Sequence, residues 1–198
     1  MDFESLALLC ALIFAAALLY TSVGHAGASG YIAAMAIMGL TPAVMKPTAL
    51  ALNILVATLA SFRWTRNGRD LAWKALLPLV AGSIPAAFIG GAFQLSDTTY
   101  RMLVGLVLLA AGLKFLVQPR TVTQAASDEP IRIPWLAGLV TGVLVGLLSG
   151  LTGTGGGIFL TPLLLLLGWS APRQASGLTA PFILVNSIAA LAGNVAAP

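Results

Sequence analysis

The stretch LSGLTGTGGGIFLTPLLLLLGW, residues 148–169, decides how this chain folds. It lies inside 133–172, a run without a single Asp, Glu, Lys or Arg. Such a run is long enough for two bilayer crossings of about 20 residues each. Its centre, Gly153-Thr154-Gly155-Gly156-Gly157, is a poor helix, because each interior glycine costs roughly 1 kcal/mol relative to alanine. Backbone that leaves a helix at membrane depth is tolerated only where protein buries it or a cavity solvates it. A helix restarting near Ile158 presents free N–H groups and a positive dipole end, which suits an anion. A nucleotide loop is excluded: the run has no Gly-Lys-Ser/Thr, and no strand precedes it.

The rest of the chain places this break in a membrane. Of 198 residues, 59% are hydrophobic and only 8% charged, against about 25% charged in soluble domains. Further charge-free runs cover 5–45, 47–62, 75–96 and 174–198. Eight apolar segments result, at about 5–22, 28–40, 46–62, 74–93, 100–117, 135–150, 157–167 and 177–194. The expected fold is an all-α integral membrane protein, a polytopic helical bundle. A disulfide scaffold is excluded by the lone Cys10. A cleaved secretory leader is not expected, because Asp2 and Glu4 stand where a cationic region should be.

If each segment crosses, the basic residues divide unevenly. Arg63, Arg66, Arg69, Lys74, Lys114, Arg120, Arg132 and Arg173 share one side, and only Lys46 and Arg101 fall on the other. By the positive-inside rule the basic loops 63–74 and 118–134 are cytoplasmic and Met1 is outside, with the chain spanning the cell membrane. No aromatics interleave with the basic residues, so nucleic acid is not an expected partner. Trp64, Trp73, Trp135 and Trp169 all sit at segment ends, as an interfacial belt does. Lys46, beside Pro47, reads as an interfacial anchor.

The Pro-rich, polar segment 119–134 divides the chain into a first repeat unit, 1–118, and a second, 135–198. Shifted by 129 residues without a gap, Gly24, Gly27 and Gly39 fall on Gly153, Gly156 and Gly168, and ILVAT (54–58) falls on ILVNS (183–187). Five segments separate equivalent positions, so the repeats enter the membrane from opposite sides, as inverted repeats with Gly-broken helices do in transporters. By the same shift Pro198 meets Arg69, and the segments at 74–117 have no counterpart. The second unit is therefore expected to be incomplete, with the chain truncated at its C-terminus.

Both breaks supply candidate substrate-binding residues. The first gives Gly24, His25, Gly27 and Ser29; the second gives Gly153, Thr154, Gly155, Gly156 and Gly157. His25 either follows protons and contacts the anion or bonds freed backbone. Asn53 and Asn186, inside apolar spans, need partners and either line a cavity or bridge helices. The stripe Gly138, Gly142, Gly146 and Gly150 is spaced for close helix packing. No metal-ligand cluster, cofactor motif or acid–base pair is present, and every Asp and Glu lies outside the spans, so an enzyme is not expected.

These motifs resemble the TauE/SafE family, often described as sulfite exporters. A first Gly-rich segment, GLTP (39–42), a basic loop and LSGLTGTGGGIFLTPLLLLLGWSAPRQASG follow in the family's order. Gly153-Thr-Gly155-Gly156-Gly157 through Pro162-Leu-Leu is similar to its glycine–proline signature, with Ile158 as one extra residue. Gly168–Ala180 is similar to a further family segment. The first break, GHAGASGY, departs by having fewer glycines and a histidine. The resemblance covers most of the chain and implies secondary transport of a small sulfur- or carboxylate-bearing anion without fixing the substrate; export of a sulfur-containing anion such as sulfite or a sulfonate is the expected function. A coupling proton or sodium ion and self-association in the lipid are open to such a protein. The alternative is a non-transporting membrane protein whose glycines only pack helices.

The orientation is testable. With Cys10 replaced by Ser, an impermeant thiol reagent applied outside should label a cysteine placed at Asp97 but not one at Asn67. The reverse pattern would overturn the orientation.

Overall fold

The computed structural model describes residues 3–22, 27–66, 73–117, 131 and 133–197. The basic loop at 67–72, most of the 119–134 linker, and Gly24 and His25 lie outside the described residues. The described chain forms eight helices: α1 (Phe3–Ser22), α2 (Ala28–Ile37), α3 (Pro42–Arg66), α4 (Trp73–Ala92), α5 (Asp97–Val117), α6 (Trp135–Thr152), α7 (Gly157–Leu166) and α8 (Pro172–Ala196). Five of them, α1, α3, α4, α6 and α8, are long and apolar enough to cross a membrane. The chain is a polytopic helical membrane protein.

Two of the eight segments form helices too short to cross. Helices α2 and α7 have ten residues each, a rise of about 15 Å, or half of a hydrocarbon core. Glycine sets their limits. Gly27 and Gly156, both at φ 84°, precede them, and Gly39 and Gly168, at φ 75° and 65°, follow them. Only glycine adopts this left-handed backbone without strain.

The centre of the bundle is α4. Its small residues let two other helices approach until backbone meets backbone. A Cβ added at Gly142, Gly146 or Gly150 of α6 would strike the Leu79, Ser83 or Ala87 carbonyl oxygen of α4. From the other side, one at Gly82 or Gly90 would meet the Leu139 or Leu147 carbonyl oxygen of α6. Because both ends match in order, α4 and α6 run parallel. Helix α8 also runs parallel to α4: Leu76 and Leu79 cluster with Leu178 and Phe182, and Ala87 clusters with Ala189 and Ala190. The glycine stripe therefore does what its spacing implies, and it packs helices without a side chain in between.

Helix α3 crosses α8 in the opposite direction. Leu50 clusters with Ala189 and Ala190, and Val56 and Ala57 cluster with Ile183. The 129-residue shift carries α2 onto α7 end for end and α3 onto α8 within one residue. Equivalent helices that run antiparallel make the two repeats inverted. Tyr100, near the start of α5, bonds Thr152 at the end of α6, so α5 begins where α6 ends. Trp73 and Trp135, which open the parallel helices α4 and α6, lie at the opposite end of the bundle together, as the charge division requires.

The stripe and an unpacked glycine should respond differently to alanine. Gly142→Ala and Gly146→Ala force a methyl into backbone and should each destabilise the protein by about 1–3 kcal/mol. At Gly105 nothing lies within 4 Å of an added Cβ, so Gly105→Ala should be neutral or stabilising by up to about 1 kcal/mol. Thermal unfolding in detergent compares them, and equal responses would deny the stripe its role.

Candidate functional site

The second break is a loop of left-handed glycines. Helix α6 ends at Gly153 (φ 78°), and Gly155 (φ 73°) and Gly156 (φ 84°) turn the chain into α7. Thr154, the single residue of 153–157 with a side chain, is buried and shares a 2.9 Å hydrogen bond with Thr152. The Thr152 carbonyl, freed at the end of α6, accepts the Tyr100 hydroxyl at 2.8 Å. Residues 152–157 are all buried.

The depth of the loop follows from α7, which runs back antiparallel to α8. A Cβ at Gly157 would meet Ile183 and Thr179, and Thr161 bonds Thr179 at 2.9 Å. Ile183 is near the middle of the 25-residue α8, so α7 begins close to the midplane. At its start, Phe159 N–H and Leu160 N–H donate to the Gly156 carbonyl at 3.1 and 3.0 Å. The N–H groups of Gly157 and Ile158, ahead of these, carry the positive end of the helix dipole.

Polar side chains converge on this loop. A Cβ on Gly155 would lie 2.6 Å from Asn53 Nδ2 and 2.8 Å from Ser187 Oγ, and one on Gly156 would lie 2.8 Å from Asn186 Nδ2. Asn53, Asn186 and Ser187 are each 0% exposed. Neither end of either carboxamide, nor the Ser187 hydroxyl, has a hydrogen-bond partner in the described structure. Native interiors seldom leave such groups unpaired, and each costs about 1–3 kcal/mol when they do. The antiparallel crossing of α3 and α8 puts Asn53 and Asn186 at the same depth, beside a loop stripped of side chains. Ser149, on α6, is likewise buried and unpartnered.

Lys46 corrects the sequence reading. It is not an exposed anchor: it is buried, and its ammonium donates to the carbonyls of Gly90 (3.2 Å), Gly91 (2.8 Å) and Phe93 (3.0 Å). It thereby caps the C-terminal end of α4, where a cation complements the dipole. A Cβ on Gly153 would lie 3.1 Å from Lys46 Cγ, so the loop starts against its stem. The Lys46 ammonium lies at the level where α4 ends, so the segment-end position holds and only the exposure does not. Ser187 left no signal in the sequence, because serine in a membrane helix ordinarily bonds its own backbone.

At the first break the described contacts are local. Ser29 Oγ bonds the Tyr20 hydroxyl at 2.7 Å, and a Cβ on Gly27 would meet Tyr31 and Tyr20. Gly24 and His25 are outside the described residues. Asn53, Asn186, Gly155 and Gly156 are thus brought together, Gly153 and Gly157 flank them, and Gly27 and Ser29 have their described contacts with α1 and α2.

The sequence that builds this site matches a known family. The model described as sulfite exporter TauE/SafE matches residues 9–197. The chain belongs to the TauE/SafE family. It is 38% identical over 193 residues to the "Probable membrane transporter protein y4hK" of Sinorhizobium fredii (strain NBRC 101917 / NGR234), covering 98% of this chain and 77% of that one. No solved structure matches the chain. This TauE/SafE member is a multi-pass membrane transporter.

Proposed function

We propose that this transporter exports a small sulfur-containing oxyanion, sulfite or a sulfonate, by secondary transport. The anion binds at the GTGGG break. The observation that carries the proposal is the pair of unpartnered carboxamides, Asn53 and Asn186, aimed at bare glycines where α7 begins. Two amide N–H groups and the free N–H groups of α7 are donors an oxyanion accepts well. Glycine is needed here because Gly155 and Gly156 hold left-handed backbone and a Cβ on either would press against the carboxamides. Lys46, a short distance up α3, adds positive potential while its own donors stay on α4. The family description supplies the sulfur chemistry, and the inverted repeats supply two halves that can rock about the α3–α8 crossing.

The competing reading, glycines that only pack helices, is favoured by the α4–α6 stripe and by the approach of Ile183, Phe182 and Val145 to the break glycines; the unpartnered carboxamides are what it does not explain. Asn53→Leu and Asn186→Leu separate the two. Each removes donors to the anion and should weaken sulfite binding by roughly 10–100-fold, the equivalent of about 1.5–3 kcal/mol. Each also removes an orphaned polar group, so the melting temperature should hold or rise. Gly155→Ala and Gly156→Ala should likewise cut binding, measured on purified protein in nanodiscs. Normal binding in destabilised variants would leave packing as the role of these residues.

A further inference from the structure

The site holds more unmet hydrogen-bonding capacity than an anion can use. A carboxamide has a donor end and an acceptor end, and both ends of Asn53 and Asn186 lack partners. An oxyanion accepts from the nitrogen ends only. It leaves two carboxamide oxygens at zero exposure, with the Ser187 hydroxyl oxygen close by. The imbalance is the same whichever end of each amide faces the loop. Electrostatics points the same way, because an anion near the midplane of an apolar bundle carries a charge that Lys46, engaged with three carbonyls, does not neutralise directly.

We propose that the site takes a monovalent cation together with the anion, held by the carboxamide oxygens of Asn53 and Asn186 and the hydroxyl of Ser187. The inference rests on the oxyanion reading above and adds the ion that accompanies it. Hard cations take oxygen ligands, and divalent ones are usually held with carboxylates. Helices α3, α6, α7 and α8, which form the site, contain no Asp, Glu, His or Cys. Neutral oxygens alone therefore favour a monovalent ion, and these helices offer no carboxylate or imidazole to carry a proton instead. Cation and anion together make the loaded site close to neutral. The empty site, already neutral apart from Lys46, returns without a bound charge. Each ion favours the other, because each satisfies the end of the amides that the other leaves free.

The experiment uses the full chain in nanodiscs of neutral lipid, with radiolabelled sulfite as the anion probe. Binding is compared in sodium, potassium and N-methyl-D-glucamine chloride at fixed ionic strength and pH. Sodium should tighten sulfite binding by about tenfold or more over N-methyl-D-glucamine, and sulfite should tighten radiolabelled sodium binding by the same factor, since coupling is reciprocal. Ser187→Ala should lose most of that enhancement. Equal sulfite affinity in all three salts overturns the cation site and leaves the oxyanion site intact. Saturable sodium binding with no sulfite binding in any salt removes the oxyanion reading instead. No saturable sodium binding, with or without sulfite, overturns this proposal.

Discussion

Backbone-on-backbone packing between α4 and its neighbours is the constraint on which the rest of the molecule depends. In lipid no hydrophobic force draws apolar helices together, so association rests on close van der Waals contact. The glycines of α6 sit on α4 carbonyls at Leu79, Ser83 and Ala87, and Gly193 of α8 sits on the carbonyl of Phe88. These contacts hold α6 and α8 parallel to α4. Once that direction is set, α7 must run back toward the starting end of α8, and ten residues bring its N-terminus to mid-depth. The site is a consequence of helices that could not pack so closely with ordinary side chains.

The same packing allows the site its polar character. Two asparagines and two serines, buried without partners, are destabilising. They persist because the surrounding helices fix them more strongly than the unmet hydrogen bonds can loosen them. Lys46 belongs to the supporting structure. Its three bonds tie α3 to the end of α4, and its stem seats Gly153. The buried carboxamides, the glycine loop and Lys46 are therefore held by the same packed helices.

Much of this was legible in the sequence, for reasons that can be named. Charge-free runs report the lipid environment directly. The 129-residue glycine register marked the limits of α2 and α7, because left-handed positions select glycine whatever the neighbours. The glycine run also implied a helix restarting at membrane depth, because GTGGG is a poor helix inside an apolar run. Asn53 and Asn186 were visible as polar residues in apolar spans, but their proximity comes from the antiparallel crossing of α3 and α8, which local pattern does not encode. The burial of Lys46 was not legible because its partners are carbonyls at the end of another helix, a tertiary contact that local sequence does not show.

The central claim is that an oxyanion sits where α7 begins, between Asn53 and Asn186. Selenite is a selenium analogue of sulfite with strong anomalous scattering, and crystals of the protein soaked with it would locate the anion directly. The account predicts one anomalous peak within hydrogen-bonding reach of the Asn53 and Asn186 side chains and the Gly157 and Ile158 N–H groups. A peak elsewhere in the bundle, such as at the Tyr20–Ser29 pair, with this position unoccupied, would contradict it.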